Sequence, residues 1–315
     1  MSVYTKVTPS QLADWLKRYS VGALNELRGI AAGIENTNYF VTTTLGRYVL
    51  TLFERLPERS LPFYLGLMAH LARHGIPCPA PIVDHANGLY SILNGKPATL
   101  VTRLAGAPVM SPTPAHCAQV GAVLAEMHVA GQSFAIRFDN PRGPKWWRDT
   151  APLVAPFLDA TQRQLLDSEL EFQSRYRFQD LPRGPIHADL FRDNVLWDGE
   201  RIGGLIDFYF AGVDAWLFDA AVTLNDWCTH SDGEIDRERA IALLGAYHAV
   251  RPFTAIERGA WPVMLRAASL RFWLSRLHDF HLPRAGELVH AHDPEHFRRI
   301  LELRIRAAHD LPWVA

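Results

Sequence analysis

The segment from Pro185 to Trp197 constrains this chain more than any other, because packing alone does not explain its polar residues. It carries His187, Asp189 and Asn194 in the spacing His-x-Asp-x-x-x-x-Asn, and Asp207 follows a short apolar run farther along. Phosphoryl transfer requires a carboxylate that accepts the proton of the attacking hydroxyl, and oxygen ligands for magnesium ions on the nucleotide phosphates. The spacing therefore predicts a base at Asp189 and magnesium ligands at Asn194 and Asp207.

A simpler interpretation exists for part of this motif. His-x-Asp by itself is typical of a capped turn, because Asp and Asn side chains bond well to nearby backbone groups. The addition of Asn194 at the fifth position after Asp189, and of Asp207 after an apolar run, favours catalysis over the capped turn.

This segment resembles the catalytic loop of the phosphotransferases related to aminoglycoside and choline kinases. The resemblance extends over nearly the whole chain, and within that family it is narrowest to the bacterial members that phosphorylate L-homoserine. It is carried by five stretches, namely residues 48–54, 187–194, 206–210, 225–228 and 270–277.

The resemblance implies a protein-kinase-like α+β fold with two lobes, an N-terminal antiparallel sheet with helices and a larger, mainly helical C-terminal lobe. It implies ATP and Mg²⁺ as cofactors, O-phospho-L-homoserine as product and a place in threonine biosynthesis. Asp189 would accept the proton of the substrate hydroxyl, His187 would brace the loop, and Asn194 and Asp207 would hold magnesium.

Length and charge agree with a two-lobe protein that binds a small molecule. A chain of 315 residues is long for one core, and a net charge of −1 gives no footprint for nucleic acid or for an anionic membrane surface. We find no signal peptide at the start and no apolar run long enough for a membrane span. The three scattered cysteines argue against a disulfide framework. We therefore expect a cytoplasmic protein, with its oligomeric state open.

The predicted N-terminal lobe covers residues 1–104 and binds the nucleotide, whereas residues 105–315 form the catalytic and substrate-binding lobe. Thr8, Pro9 and Gln11 predict the capped start of a first helix. Strands are expected at residues 24–30, 38–44, 48–53 and 98–102, and a helix at residues 61–74. A hairpin around Asn87-Gly88 is expected to join residues 82–84 to residues 90–93.

The nucleotide contacts are predicted on this first lobe. Gly29 and Gly33 flank a turn through which backbone amides can approach phosphate oxygens, although an ordinary hairpin loop explains them equally well. Asn36 and Asn38 could cap that turn or donate to phosphate. By resemblance, the backbone from residue 101 to residue 104 faces adenine, which assigns Thr102 and Leu104 to the ATP site.

Thr51 marks a departure from the kinase pattern. Protein kinases carry a lysine at the matching strand position, where it holds the α- and β-phosphates. The chain has no lysine between Lys17 and Lys96. Arg28, Arg47 or Arg55 could compensate, and the sequence does not choose among them.

The second lobe is expected to be mostly helical, with helices at residues 114–130, 161–176 and 261–280. Residues 141–156 are expected to form a loop whose Trp146 and Trp147 either line the rim of a pocket or pack, and packing is favoured. Asp219 is expected to bond the backbone of the catalytic region. Arg266 lies within the apolar stripe of the last helix and Arg271 lies beside it. Each could bind a substrate carboxylate or form a structural salt bridge.

Asp226 is a candidate for binding the substrate ammonium group. Three other functions remain open from the sequence. The same fold could phosphorylate choline, an aminoglycoside, methylthioribose or another sugar. The missing lysine could indicate a silent nucleotide-binding module, against which the intact Asp189, Asn194 and Asp207 argue. A metal-dependent phosphatase would need further bridging ligands, and no other histidine has supporting spacing.

Overall fold

The computed structural model describes residues 4–30, 36–176, 180–283 and 292–307. The chain divides into two compact units, of which the first comprises residues 1–106 and 203–206 and the second comprises the remaining residues. The helices and strands of the first unit are, in chain order, α1 (Pro9–Leu16), β1 (Leu24–Gly29), β2 (Thr37–Thr43), β3 (Arg47–Leu52), α2 (Leu61–Arg73), β4 (Ser91–Leu93) and β5 (Lys96–Thr102).

The first unit is built on a five-stranded antiparallel sheet with the strand order β1-β2-β3-β5-β4. Strand β2 alternates buried and half-buried residues, as a sheet with one covered face requires. Helix α1 begins at the predicted capping box of Thr8 and Gln11, which is confirmed. Its apolar face packs Leu12 and Trp15 into the core of the sheet, and full burial of such a side chain contributes roughly 1.5–3 kcal/mol.

The hairpin predicted around Asn87-Gly88 is wrong. Asn87 does form a turn, in which its amide donates to the Asp84 carbonyl, but residues 82–84 form no strand. The hairpin of this region is instead closed by Asn94 and Gly95, both in the left-handed conformation. These two residues join β4 to β5 with Leu93 opposite Lys96. Asn-Gly occurs at both 87–88 and 94–95. Only the second copy lies between two paired strands, because the seven-residue strand β5 follows Gly95.

The second unit is mainly helical and contains short strands on either side of residues 187–194. Strand β9 begins in this unit and ends in the first. The elements are, in chain order, β6 (Ala107–Pro108), α3 (Pro114–Gly131), α4 (Pro144–Val154), α5 (Ala160–Arg175), β7 (Arg183–Ile186), β8 (Val195–Asp198), β9 (Arg201–Leu205), β10 (Gly212–Ala215), α6 (Trp216–Trp227), α7 (Arg237–Val250), α8 (Ala255–His281) and α9 (Pro294–Arg306).

Two small sheets lie within this group of elements. Strands β7 and β10 pair antiparallel, with Ile186 opposite Gly212, and β6, β8 and β9 form a second sheet in that order. Large aromatic side chains fill the core around the helices; those exposed by less than 2% include Phe208, Trp227, Tyr247, Trp261 and Trp273. The fold is thus α+β, as predicted.

The loop predicted for residues 141–156 is wrong, because residues 144–154 form α4. Pro144 occupies the first turn, where a missing amide hydrogen costs no helical hydrogen bond. Trp147 is buried and donates from its indole nitrogen to the Arg142 carbonyl at 2.6 Å. Its predicted packing role is confirmed, although on a helix.

Cys78, Cys117 and Cys228 are all buried and unbridged. Burial raises the pKa of Cys78 to about 12, so this thiol stays protonated and unreactive near neutral pH. Among the residues that the structure describes, every helix is too short or too polar to span a lipid bilayer.

Candidate active site

The catalytic segment, which we define as residues 187–194, begins where β7 ends. Ala188 has φ of 62°, a conformation that costs an ordinary L-residue roughly 1–2 kcal/mol. The carboxylate of Asp219 stabilises this turn, because it accepts the backbone N–H groups of His187 and Ala188, each at 2.7 Å. The expected structural role of Asp219 is therefore confirmed.

Asp219 is itself one end of a buried hydrogen-bond chain. His128 Nε2 lies 3.0 Å from the Asp219 carboxylate, and His128 Nδ1 lies 2.7 Å from the Tyr247 hydroxyl. Arg251 donates to the same hydroxyl at 3.3 Å and to Glu257 at 2.8 Å. Burial lowers the pKa of His128. One neutral tautomer satisfies the chain, with Nε2–H donating to Asp219 and Nδ1 accepting from Tyr247.

Helix α6 holds the rest of the catalytic segment through side chains in its last turn. The Arg192 amide donates to the carboxylate of Asp226 at 2.8 Å, and the Arg192 guanidinium pairs with the same carboxylate at 3.1 and 3.2 Å. Trp227 donates its indole N–H to the Leu190 carbonyl at 3.0 Å. Helix α6 therefore fixes the backbone of the segment at both ends.

Asn194 lies against Asp189, as the spacing predicted. Its amide nitrogen donates to the backbone carbonyl of Asp189 at 2.8 Å and to its carboxylate at 3.3 Å. Because the nitrogen faces Asp189, the amide oxygen of Asn194 remains as the atom that can bind a cation. Asp207 follows β9 in a left-handed conformation, with φ of 64° and ψ of 60°. Asp207 is exposed to solvent.

The electrostatics of Asp189 are those of a mostly buried carboxylate, since 17% of its side chain is exposed. Burial is the main reason that the pKa of Asp189 is raised to about 7; the cation of Arg271 opposes this rise and the charge of Asp207 adds to it. Arg271 Nη2 lies 3.9 Å from the Asp189 carboxylate. A carboxylate with a pKa near neutrality is suited to accept a proton from a hydroxyl at physiological pH.

The donor set fits magnesium. Asn194 and Asp207 offer the hard oxygen ligands that Mg²⁺ prefers, and the charge of Asp207 acts on the base candidate Asp189. Among the described residues, no group of three His, Cys, Asp or Glu side chains could hold a metal by itself. Mg²⁺ is usually held by one or two carboxylates together with substrate phosphates and water.

The two arginines of α8 differ sharply in their surroundings. Arg266 pairs with both oxygens of the buried Glu169 carboxylate and stacks on Phe172, so the structure places it in a structural salt bridge. Arg271 is buried, and its Nε has no hydrogen-bond partner in the described part of the chain. Burial lowers the pKa of Arg271 to about 9. Only Arg271 lies beside Asp189.

Asp226 is likewise occupied, because its carboxylate is bound by the amide and guanidinium of Arg192. Burial raises the pKa of Asp226, and the charge and hydrogen bonds of Arg192 oppose this rise. Among the three substrate candidates, the structure therefore brings Arg271 to Asp189 and shows Arg266 and Asp226 engaged with other side chains.

Sequence reasoning missed polar residues that surround Asp189 and Arg271. Arg142 lies with its guanidinium carbon 5.3 Å from the Phe210 ring centroid, and Arg271 lies 5.2 Å from the same centroid. Arg276 also acts on the charge of Asp189. No local sequence motif identifies Arg142, because the residues near it, Phe210 and Arg271, are far away in the sequence.

The predicted nucleotide residues lie in the first unit. Thr51 donates its hydroxyl to Asn38 Oδ1 at 2.7 Å, since the two face each other across β2 and β3. The Thr102 hydroxyl accepts from the Ala80 amide at 2.9 Å. Leu104 packs closely on Gly204, since a Cβ added to Gly204 would lie 2.1 Å from Leu104 Cδ1.

The other nucleotide candidates are placed in part. Gly29 ends β1 and is exposed, whereas Gly33 lies outside the described residues. Asn36 is buried, and its Oδ1 has no hydrogen-bond partner among the described residues. Among the candidate cations, Arg28 stacks on Phe40 with 5.2 Å to the ring centroid.

Comparison with known proteins gives a family that covers most of the chain. The sequence pattern of the phosphotransferase enzyme family (APH) matches residues 26–253. Homoserine kinase of Methylobacillus flagellatus is 54% identical over 100% of this chain and 99% of its own length. Homoserine kinase of Janthinobacterium sp. (strain Marseille) is 53% identical over 98% of this chain and 97% of its own length.

Solved structures share the fold at much lower identity. The amicoumacin kinase hAmiN, solved with AMP-PNP and Ca²⁺, has a TM-score of 0.72 at 14% identity, and covers 97% of this chain and 95% of its own. Choline kinase from Cryptosporidium parvum has a TM-score of 0.66 at 15% identity, covering 95% and 94%. The predicted protein-kinase-like α+β fold is confirmed. The chain belongs to the phosphotransferase enzyme family, among relatives named homoserine kinase that match it from end to end.

Proposed function

We propose that this protein transfers the γ-phosphoryl group of ATP to the hydroxyl of L-homoserine, which yields O-phospho-L-homoserine for threonine biosynthesis. The observation that carries the proposal is the position of Arg271 beside Asp189, with 3.9 Å between the guanidinium and the carboxylate. A proton acceptor and a buried cation at one place suit an acceptor that has both a hydroxyl and a carboxylate.

Full-length similarity supports the same acceptor. Relatives that are 51–54% identical over 97–100% of this chain carry the name homoserine kinase. The structural neighbours named for amicoumacin or choline share only 14–15% identity and support the fold alone. A buried arginine at the acceptor position also disfavours choline, because its quaternary ammonium group would meet a like charge.

The residues of the catalytic segment divide the chemistry among them. Asp189 orients the homoserine hydroxyl and accepts its proton as the oxygen attacks phosphorus. His187, packed with its ring centroid 4.6 Å from that of Phe208, braces the turn whose amides are held by Asp219. Asn194 and Asp207 hold Mg²⁺. This ion, when bound with ATP, neutralises charge on the transferred phosphoryl group.

The nucleotide is assigned to residues 1–104, and the catalytic and substrate-binding functions to residues 105–315. In this proposal ATP is contacted by Gly29, Gly33, Asn36, Asn38, Thr51, Thr102 and Leu104. Thr51 is neutral and bonded to Asn38, so it acts on the phosphates through the position of the Asn38 amide rather than through charge. We place the enzyme in the cytoplasm, where its small-molecule substrates are available.

On the acceptor side, Arg271 binds the homoserine carboxylate. The salt bridge of Arg266 with Glu169 leaves Arg266 a structural role, and Asp226 serves chiefly to hold Arg192. The ammonium group of homoserine is not assigned to a residue.

The deciding experiment measures ADP release by the purified protein with MgATP and a panel of acceptors: L-homoserine, choline, methylthioribose and kanamycin. We expect turnover with L-homoserine to exceed turnover with each other acceptor by at least about 100-fold in kcat/KM. Preferential turnover of choline, methylthioribose or kanamycin would keep the kinase chemistry and refute the acceptor. ATP binding without turnover of any acceptor would instead favour a silent module.

A further inference from the structure

Arg142 lies in the short connection before α4, and its guanidinium is placed by two aromatic rings. The guanidinium carbon is 4.5 Å from the centroid of Trp146 and 5.3 Å from that of Phe210. Arg271 approaches the same Phe210 ring, with 5.2 Å to its centroid. Arg271 of α8 and Arg142, which is remote from it in sequence, therefore both lie near the ring of Phe210.

Two converging guanidinium groups repel one another unless an anion lies near both. The repulsion is felt here, since the charge of Arg142 contributes to the lowered pKa of Arg271. Arg271 lies 3.9 Å from the carboxylate of Asp189, a separation longer than a hydrogen bond. Arg271 Nε is also without a hydrogen-bond acceptor in the described residues. A ligand carboxylate would supply that acceptor.

The backbone of Arg142 is held in register with the catalytic segment. Its amide donates to Asn140 Oδ1 at 2.9 Å, and its carbonyl accepts from the indole of Trp147 at 2.6 Å. Asn140 in turn donates to Asp214 of β10 at 2.9 Å.

Strand β10 pairs with β7, and β7 leads directly into His187. The Phe138 carbonyl accepts from the Val213 amide at 2.7 Å, so the connection before α4 is tied to β10 at a second point. A loop with these ties holds the base of the Arg142 side chain in place relative to Asp189, which is what a substrate-positioning group requires.

We infer that Arg142 is a specificity-determining residue that, together with Arg271, clamps the carboxylate of the acceptor. The inference rests on the proposed function and extends it to a named class, short α-amino acids with a terminal hydroxyl. Arginine suits the role, because its planar fork of N–H donors matches the two oxygens of a carboxylate and its face stacks on aromatic rings.

The test compares L-homoserine with L-homoserine amide, in which a neutral amide replaces the carboxylate. We expect Arg142→Gln to raise KM for L-homoserine by about 10- to 100-fold, because the carboxylate loses one or two charge-assisted hydrogen bonds. For homoserine amide, kcat/KM should change by less than about threefold, since no carboxylate is present to lose a contact. KM for ATP and kcat at saturating L-homoserine should also stay within about threefold.

Arg148→Gln is the matched control, because Arg148 is an exposed arginine on α4, the helix that follows Arg142. Arg142→Lys keeps the charge without the fork, and we expect a smaller rise in KM for L-homoserine than with glutamine. A thermal melt establishes that each variant is folded. If Arg142→Gln fails to fold, the lysine variant carries the same comparison.

The outcomes separate the clamp from the proposed function. An equal loss of kcat/KM for L-homoserine and its amide, or a rise in the KM for ATP alone, overturns the clamp. An unchanged KM for L-homoserine in a folded Arg142→Gln does the same while leaving homoserine phosphorylation in place. No turnover of L-homoserine by the unmodified enzyme would instead overturn the proposed function, and the clamp with it.

Discussion

The catalytic segment of the second unit and strand β3 of the first unit hold their polar groups by different means. The catalytic segment is held by two carboxylates of α6: Asp219 accepts two backbone amides, and Asp226 accepts three N–H groups of Arg192. On β3, the buried Thr51 makes one neutral hydrogen bond to Asn38. Carboxylates of α6 thus hold the catalytic segment, whereas the contact of Thr51 on β3 is between neutral side chains.

This difference has an energetic consequence. A buried charge that loses its partner costs about 3–5 kcal/mol, whereas a buried neutral group that loses its partner costs about 1–3 kcal/mol. Substitutions in the catalytic segment and its supports should therefore act on turnover and stability by larger factors than substitutions on β3. The expected effects below run from the largest to the smallest.

Asp189→Asn should have the largest effect. The amide cannot accept the proton of the hydroxyl, so we expect kcat to fall by about 100- to 10,000-fold. ATP binding, measured by titration calorimetry, should stay within about threefold. Asp193→Asn is the control, because Asp193 is exposed in the same segment and should retain nearly full turnover. Near-normal turnover by Asp189→Asn would contradict its role as base.

Arg271→Gln and Arg266→Gln divide function from stability within one helix. Arg271→Gln should raise KM for L-homoserine by about 10- to 100-fold, with a smaller loss of stability than Arg266→Gln, since the ion pair of Arg271 with Asp189 is long at 3.9 Å.

Arg266→Gln leaves the Glu169 carboxylate buried without its cation, so we expect a loss of about 3 kcal/mol in the free energy of unfolding and an unchanged KM. Urea denaturation and steady-state kinetics on both variants check the pair. The reverse pattern would exchange the two roles.

Asp219→Asn tests the support of the catalytic segment. An asparagine side chain has one oxygen acceptor, whereas Asp219 uses both oxygens for the amides of His187 and Ala188. We expect kcat to fall about 10- to 100-fold as the turn loses its fixed position, and the free energy of unfolding to fall by about 3 kcal/mol. Denaturation and single-turnover rates measure the two effects. A variant that keeps both values would show that the turn at Ala188 holds itself.

The sequence predicts the catalytic segment because its information is local. Asp189 and Asn194 are five positions apart in the sequence, and the capping box of Thr8 and Gln11 lies within four residues. The clamp residues are different, since Arg142 meets Arg271 only through Phe210 after three separate segments have packed. No periodicity marks such a contact.

Local signals also fail where two of them compete. Asn87-Gly88 and Asn94-Gly95 carry the same turn signal, and only the pairing of β4 with β5 selects the second as the hairpin. The sequence predicts a loop over residues 141–156, yet Pro144 lies in the first turn of α4, where proline is favourable. For Arg266, the sequence left a structural salt bridge open beside a substrate contact, because its partner Glu169 lies on another helix.

Thr51→Val should have the smallest effect. It tests whether the neutral hydrogen bond between Thr51 and Asn38 contributes to nucleotide binding. The valine side chain has nearly the same shape but cannot donate to Asn38 Oδ1, so the Asn38 amide loses the bond that fixes its orientation. We expect the KM for ATP to rise about three- to tenfold, in line with one neutral hydrogen bond of about 1 kcal/mol. The KM for L-homoserine should not change.

Thr99→Val is a matched control, because Thr99 lies opposite Thr51 on β5 and its hydroxyl donates to the Leu89 carbonyl instead. It removes a buried hydroxyl of the same size without touching Asn38. If both variants lose the same stability and only Thr51→Val raises the KM for ATP, the Thr51–Asn38 pair positions a phosphate contact. If the KM for ATP is unchanged in both, this pair serves only the sheet, and phosphate binding must depend on groups elsewhere in the protein.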